Sequence, residues 1–90
     1  MPAGFICSIL AAAARTDSGN PPNSVISVIM TDVGGTFADV GFVAVDEAKR
    51  EMLAVALAAI SNQANVNVLV DVPTGVGPPP RCYSLEIVAS

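Results

Sequence analysis

Apolar and polar positions divide the chain into six apolar segments separated by turn-rich ones. Residues 4–14 open with a strand-like run, Phe5-Ile6-Cys7-Ser8-Ile9-Leu10, and close with four alanines that lean helical. This segment is read as strand one. Residues 15–24 form a polar loop in which Asn20-Pro21-Pro22 keeps the backbone extended and stops any helix. Residues 25–31, VISVIMT, are β-branched and read as strand two. Asp32-Val33-Gly34-Gly35-Thr36 follows, and its two glycines suit the positive φ angles of a tight hairpin. Residues 37–45 read as strand three, with Gly41 marking a bulge or a barrel corner.

The next segment has the period of a helix. Asp46 is placed to cap it, and Glu47 adds an acid to a first turn where the helix dipole favours one. The helix is predicted over residues 47–61. Lys49, Arg50 and Glu51 form the wet rim of its start, and residues 52–60, MLAVALAAI, contain nothing polar. Leu53, Leu57 and Ile60 make one stripe; Met52, Val55, Ala56 and Ala59 cover much of the rest. A helix that is apolar all round is normally buried on all sides, which one small sheet cannot achieve. Met52, Leu53, Val55, Ala56, Leu57 and Ile60 are therefore the expected contact surface of an assembly. Residues 62–65 end the helix. Residues 66–72, VNVLVDV, alternate as strand four. Residues 73–81, PTGVGPPPR, make a second stiff loop, with a polyproline bias from the triple proline. Residues 82–89 are strand five, with Cys82, Ser84, Glu86 and Val88 on one face and Tyr83, Leu85, Ile87 and Ala89 on the other.

The order strand, strand, strand, helix, strand, strand predicts a single α+β domain, mostly β, over all 90 residues. The favoured arrangement is a small five-stranded antiparallel barrel with the helix between strands three and four. A flat antiparallel sheet crossed by the helix is the other arrangement this order allows. The order resembles that of the OB-fold barrel, whose ligand face is flanked by the loops after strands one and four. Here those loops are residues 15–24 and 73–81. That resemblance places a ligand near Asp17, Asn20, Thr74, Arg81 and Tyr83. The order is also similar to that of the ring-forming B subunits of bacterial toxins, which implies an oligomeric barrel and a glycan ligand. The far-separated pair Cys7 and Cys82 is similar in placement to a disulfide in some of them. The chain departs from that pattern in having no tryptophan to stack on sugar and a helix without a polar, pore-facing side.

Composition sharpens the assembly expectation. Hydrophobic residues make up 52% of the chain and charged residues 13%, against about 25% charged in an ordinary domain. That balance excludes a disordered chain. A compact protein of this size exposes about 4,900 Å² and has too small an interior for so many apolar side chains. A homo-oligomer is the simplest cover for the excess, and docking on a different protein is the other. Four basic and eight acidic residues give a net charge of −4. Nucleic acid needs a basic footprint, so no nucleic-acid partner is expected. Anionic membrane surfaces repel an acidic chain, and no run reaches the roughly 18 apolar residues of a spanning helix. The apolar run at residues 5–14 has the length of a signal-peptide core, but no Lys or Arg precedes it, so it is expected to stay in the mature chain. A Cys7–Cys82 disulfide would close a loop of about 75 residues and add about 4 kcal/mol in the chain-entropy model. Two buried, reduced thiols in a cytoplasmic protein are the favoured alternative, and the disulfide would go with secretion.

Candidate chemistry changes little. Histidine is absent, which removes imidazole bases and histidine metal sites. Two isolated cysteines cannot build a zinc site, and Ser and Thr lack a base to activate them. No metal, no cofactor and no enzymatic activity are expected. One motif carries an alternative. Asp32-Val33-Gly34-Gly35-Thr36-Phe37-Ala38-Asp39 resembles the phosphate-binding hairpin of actin-like ATPases, especially hydantoinase and oxoprolinase relatives. The resemblance implies a nucleotide or phosphate ligand at residues 32–36, where glycine amides could reach an anion. Asp32 and Asp39 could also face each other across that hairpin.

Overall fold

The computed structural model describes residues 2–17, 23–75, 77 and 79–88. Its elements are β1 (Pro2–Asp17), β2 (Asn23–Asp32), β3 (Val40–Ala44), a 3-10 turn (Asp46–Ala48), α1 (Lys49–Ser61), β4 (Asn65–Asp71) and β5 (Arg81–Ile87). The chain is α+β and mostly sheet, with its helix between β3 and β4. Alternation decides which side chains turn inward. Val66, Val68 and Val70 of β4 are buried while Asn65, Asn67 and Leu69 face out. Ile26, Val28 and Met30 of β2 do the same. The alanine run stays in β1 because residues Ala11 to Ala14 pair with Ile29, Val28, Ser27 and Ile26. Pairing with a β-branched strand overrides the helical leaning of alanine.

The ladders close into a barrel in the order β1-β2-β3-β5-β4. β1 pairs with β2 over Cys7 to Asp17 and with β4 over Pro2 to Ser8, both antiparallel. β3 meets β5 in parallel through two register pairs, Val43 with Arg81 and Ala44 with Cys82. The sheet is therefore mixed, which corrects the all-antiparallel expectation: the connection from β3 to β5 runs through both α1 and β4, so β5 enters beside β3 from the same end. The bulges also differ from expectation. Gly41 pairs regularly with Ile29. The register shifts lie at Ile9/Ala11 against β2 and at Leu69/Val70 against β5. The second shift leaves Tyr83 as an extra residue between Cys82 and Ser84, which reverses the faces of β5 beyond it. Cys82 is buried and Leu85, not Ser84, packs against the core. Strict alternation had put those two on opposite faces.

Phe42 and Met30 are the largest fully buried side chains. Phe5, Phe37 and Phe42 form an edge-to-face chain, with ring centroids 5.2 and 5.3 Å apart. α1 packs against β1, β2 and β5. Met52, Ala56 and Ala59 are buried in that contact, and Leu53 and Ile60 are partly buried against the same core. Met52 and Ala56 are thus covered by the chain's own barrel, which corrects their placement on an assembly surface. Their alanine neighbours let the helix sit close to the sheet. Val55 is half-buried, and Leu57 is 50% exposed.

The helix ends differ unequally from expectation. At the start, Asp46 enters a 3-10 turn and makes no side-chain cap. It lies 3.8 Å from Lys49 instead, a long pair in which Asp46 is exposed and Lys49 half-buried. At the end, Gln63 N–H donates to the Ile60 carbonyl at 3.2 Å and Ala64 N–H to the Ala59 carbonyl at 2.9 Å. This is the Schellman arrangement, and Gln63 takes the left-handed φ of +53° that it requires. Glycine is the residue suited to that position. Gln63→Gly is expected to raise stability by about 0.5–1 kcal/mol, because the left-handed cost of an L-residue outweighs glycine's added chain entropy. Urea unfolding checks this; a lower midpoint for the variant would contradict the strained cap.

Candidate functional site

The β4–β5 connection builds a concavity. Asp71 ends β4, Arg81 opens β5, and the connection between them, described at residues 72–75, 77, 79 and 80, forms an arch. The arch needs two reversals, supplied at Gly75 and Gly77 with φ of +80° and +82°. Beneath it lies a pocket of about 540 Å³. Pro73, Thr74, Pro79, Pro80 and Arg81 line the arch side and Val40 of β3 lines the opposite wall. The pocket exists because β3 pairs with β5 only from Val43 onward, so the barrel wall is open beside Val40. The apolar part of the wall is mainly proline ring and valine. The polar part is Asp71, Thr74 and the arch backbone.

The Tyr83 side chain anchors the carboxylate of Asp71. The Tyr83 hydroxyl donates to it, at 3.1 Å from each oxygen. The Arg81 backbone N–H adds a long contact of 3.4 Å. Burial, and then the Asp71 carboxylate beside it, holds the Tyr83 phenol above its ordinary range, so it remains a protonated donor. Tyr83 is the unpaired residue of the β5 bulge, and its hydroxyl reaches Asp71 from there. Among the five predicted site residues, Thr74 and Arg81 line this pocket and Tyr83 supports it through Asp71. Asp17 closes the β1–β2 ladder opposite Asn23, and Asn20 lies outside the described residues. Asp71 and Val40 were missed by reading the chain. Asp71 looked like the last polar position of a strand, and only the bulge on β5 brings a tyrosine to it.

The Gly-Gly turn has a different economy. Of its two glycines, Gly35 alone has positive φ, at +89°. The Asp32 carboxylate accepts from Gly34 N–H at 3.0 Å and Thr36 N–H at 2.9 Å. Asp32 is itself buried. These hydrogen bonds, first from the Thr36 hydroxyl, then from the Thr36 and Gly34 amides, hold its pKa below the usual carboxylate range. The amides that could have met a phosphate are thus turned onto the chain's own anion. Asp39 pairs with Thr31, which accepts from its N–H at 3.0 Å, rather than with Asp32. Cys7 and Cys82 are free and buried in the core. Burial raises both thiols to about 11; the Asp32 charge and then Cys82 add to the effect at Cys7.

Among the described residues no cluster of three or more His, Cys, Asp or Glu could hold a metal ion. No helix among them is long and apolar enough to cross a membrane.

Two pH dependences follow. Asp32 has a folded pKa below its ordinary 3.8, so its contribution is complete above that value and is lost as pH falls through the folded pKa. Asp32→Asn is expected to be less stable at neutral pH and to lose less on acidification, in denaturant titrations down to about pH 2. Parallel wild-type and variant curves would contradict a structural role for the carboxylate. The thiols shift the other way, from 9.0 to about 11, so their contribution is complete below about 9 and is lost as pH rises through the folded value. A thiol reagent at mildly alkaline pH is expected to leave both cysteines unmodified in the native protein and to label both once it is unfolded. Prompt native labelling would show that the core does not enclose them.

Comparison with family models, with curated proteins and with solved structures gives no match, so the functional reading rests on this geometry.

Proposed function

We propose that the chain is an OB-like binding and assembly module. It takes a small hydroxylated molecule, such as the end of a glycan, under the β4–β5 arch and self-associates through its apolar exterior. The strand order, the parallel β3–β5 contact and the helix between β3 and β4 support the OB-like reading. The single observation that carries the binding reading is the pocket of about 540 Å³ with the Asp71–Tyr83 pair at its edge. Ligand sites are concave, mostly apolar and furnished with a few placed polar groups. Here the fixed acceptor is a carboxylate, which suits hydroxyl donors. The Arg81 charge beside it offsets that of Asp71, so a neutral ligand is favoured over an ionic one. Flat proline and valine surfaces suit the C–H face of a sugar ring.

Nucleic acid is disfavoured on a second ground besides charge. Phe37 and Phe42 are buried and Phe5 is half-buried in the edge-to-face chain, so they offer no stacking platform. A nucleotide at residues 32–36 would have to displace Asp32 from the Gly34 and Thr36 amides, which argues against that reading. Two reduced, buried thiols suit a reducing compartment such as the cytoplasm. Exposed Leu10, Ile29, Leu57 and Leu69 supply the apolar exterior for assembly.

NMR titration with neutral monosaccharides and short oligosaccharides tests the site. Millimolar binding is expected, with shifts confined to the amides of Asp71, Thr74, Arg81, Tyr83 and Val40. Asp71→Asn is expected to weaken it about tenfold or more, the size of a hydrogen bond to a charged group. Saturating sugar without shifts at these amides would overturn the proposed ligand class.

A further inference from the structure

β1 is far longer than the strand beside it. β4 pairs with it only from Pro2 to Ser8, whereas β2 follows it to Asp17. From Ile9 onward, one edge of β1 therefore has no strand against it among the described residues. A strand edge presents a row of backbone donors and acceptors that pair with another strand when nothing prevents it. Proteins prevent it with proline, charge, brevity, a bulge or a covering element. Residues 10–14, Leu-Ala-Ala-Ala-Ala, contain neither proline nor charge. Leu10 is 52% exposed, and Ala11, Ala13 and Ala14 are exposed too, so no element covers them. The bulge at Ile9/Ala11 lies at the start of this stretch, and from Ala11 the pairing with β2 runs on without a break.

We propose that residues 10–14 form the interface with a second copy of the chain, by antiparallel pairing of β1 with β1 about a two-fold axis. The two β1–β2 ladders then join into one continuous sheet. The inference rests on the self-association part of the reading above and is independent of the pocket. Three observations favour a second copy as the occupant. Antiparallel self-pairing is self-complementary, so one unprotected segment satisfies both partners and the assembly closes as a dimer. All eight acidic residues of the chain lie at position 17 or later, so residues 1–16 hold Arg15 as their one charged side chain. Two copies with a net charge of −4 meet with least repulsion along β1. The exposed side chains there are also small, and alanine on both sides allows strand spacing without repacking. Pairing would extend the exposed apolar face that Leu10, Ala11, Ala13 and Ile29 already share.

Sedimentation equilibrium tests the oligomer, and hydrogen exchange locates it. The wild-type chain is expected to be a dimer at micromolar concentration, with amides in residues 10–14 whose exchange slows as concentration rises. Ala13→Lys places like charges across the axis and is expected to raise the dimer dissociation constant by about a hundredfold or more. Its thermal unfolding should otherwise match that of wild-type monomer; Leu10→Lys serves as a second variant if it does not. A monomer at high micromolar concentration would overturn this interface and the self-association reading together. An oligomer that survives both lysine variants and dissolves with Leu57→Glu would overturn the β1 interface alone and place assembly on the helix. A monomer that binds sugar normally would leave the pocket standing while removing the dimer.

Discussion

A parallel ladder of only two register pairs separates this barrel from an open sheet. Val43 N–H donates to the Pro80 carbonyl at 3.0 Å, and Val45 N–H donates to the Cys82 carbonyl at 3.1 Å. Each contributes only about 0.5–1.5 kcal/mol net, so the seam does not hold by itself. What holds it is the burial that closure permits. Phe42 and Ala44 on β3 and Cys82 on β5 join one core, and α1 packs on that core through contacts with β1, β2 and β5. Shortness has a second consequence. Since the seam begins at Val43, the first residues of β3 are left without a partner on that side, and the β4–β5 arch must pass over them. The same constraint that closes the barrel makes the pocket.

The apolar content of the chain finds two destinations. One is the interior, where inward positions of all five strands meet Met52, Ala56 and Ala59 of the helix. The other is the exterior of the barrel, where Ile6, Leu10, Ile29, Val33 and Leu69 remain exposed. The helix had seemed the obvious carrier of the excess, because residues 52–60 are apolar on every side. In the fold much of that surface is alanine, which buries little area whichever way it faces. The helix thus satisfies its own barrel and leaves mainly Leu57 outside. Most of the other large exposed side chains belong to the strands.

Element order was legible because it depends on short-range signals: β-branched runs, turn residues and a helical period. The core face of β4 was legible for the same reason, since Val66, Val68 and Val70 alternate without interruption. β5 was not. Its composition alternates as cleanly, but an unpaired Tyr83 shifts the pattern by one residue, and nothing in Cys-Tyr-Ser-Leu announces that. The site inherits this limit. Thr74 and Arg81 could be placed from the loop alone, whereas Asp71 joins them only through the bulged tyrosine. The Gly-Gly turn shows the opposite failure. Its residues are those of an anion site, yet Asp32 is held at the centre of its own turn by the amides of Gly34 and Thr36. A motif names the donors; only the fold says what already accepts from them.

Unequal strand lengths connect these features. β1 and β2 run 16 and 10 residues, while β3, β4 and β5 run 5, 7 and 7. Every residue of a long strand that outlasts its neighbour exposes backbone groups that need a partner or solvent. Beside β3 the mismatch is answered by the arch, whose Pro73, Pro79 and Pro80 have no N–H to leave unpaired and whose remaining groups border a wet pocket. Over residues 10–14 of β1 no proline, charge or covering element answers it among the described residues. The two open places differ in chemistry for that reason. The first is concave, carries a fixed carboxylate and suits a small polar ligand, while the second is straight, neutral and rich in free backbone valence, which suits another strand.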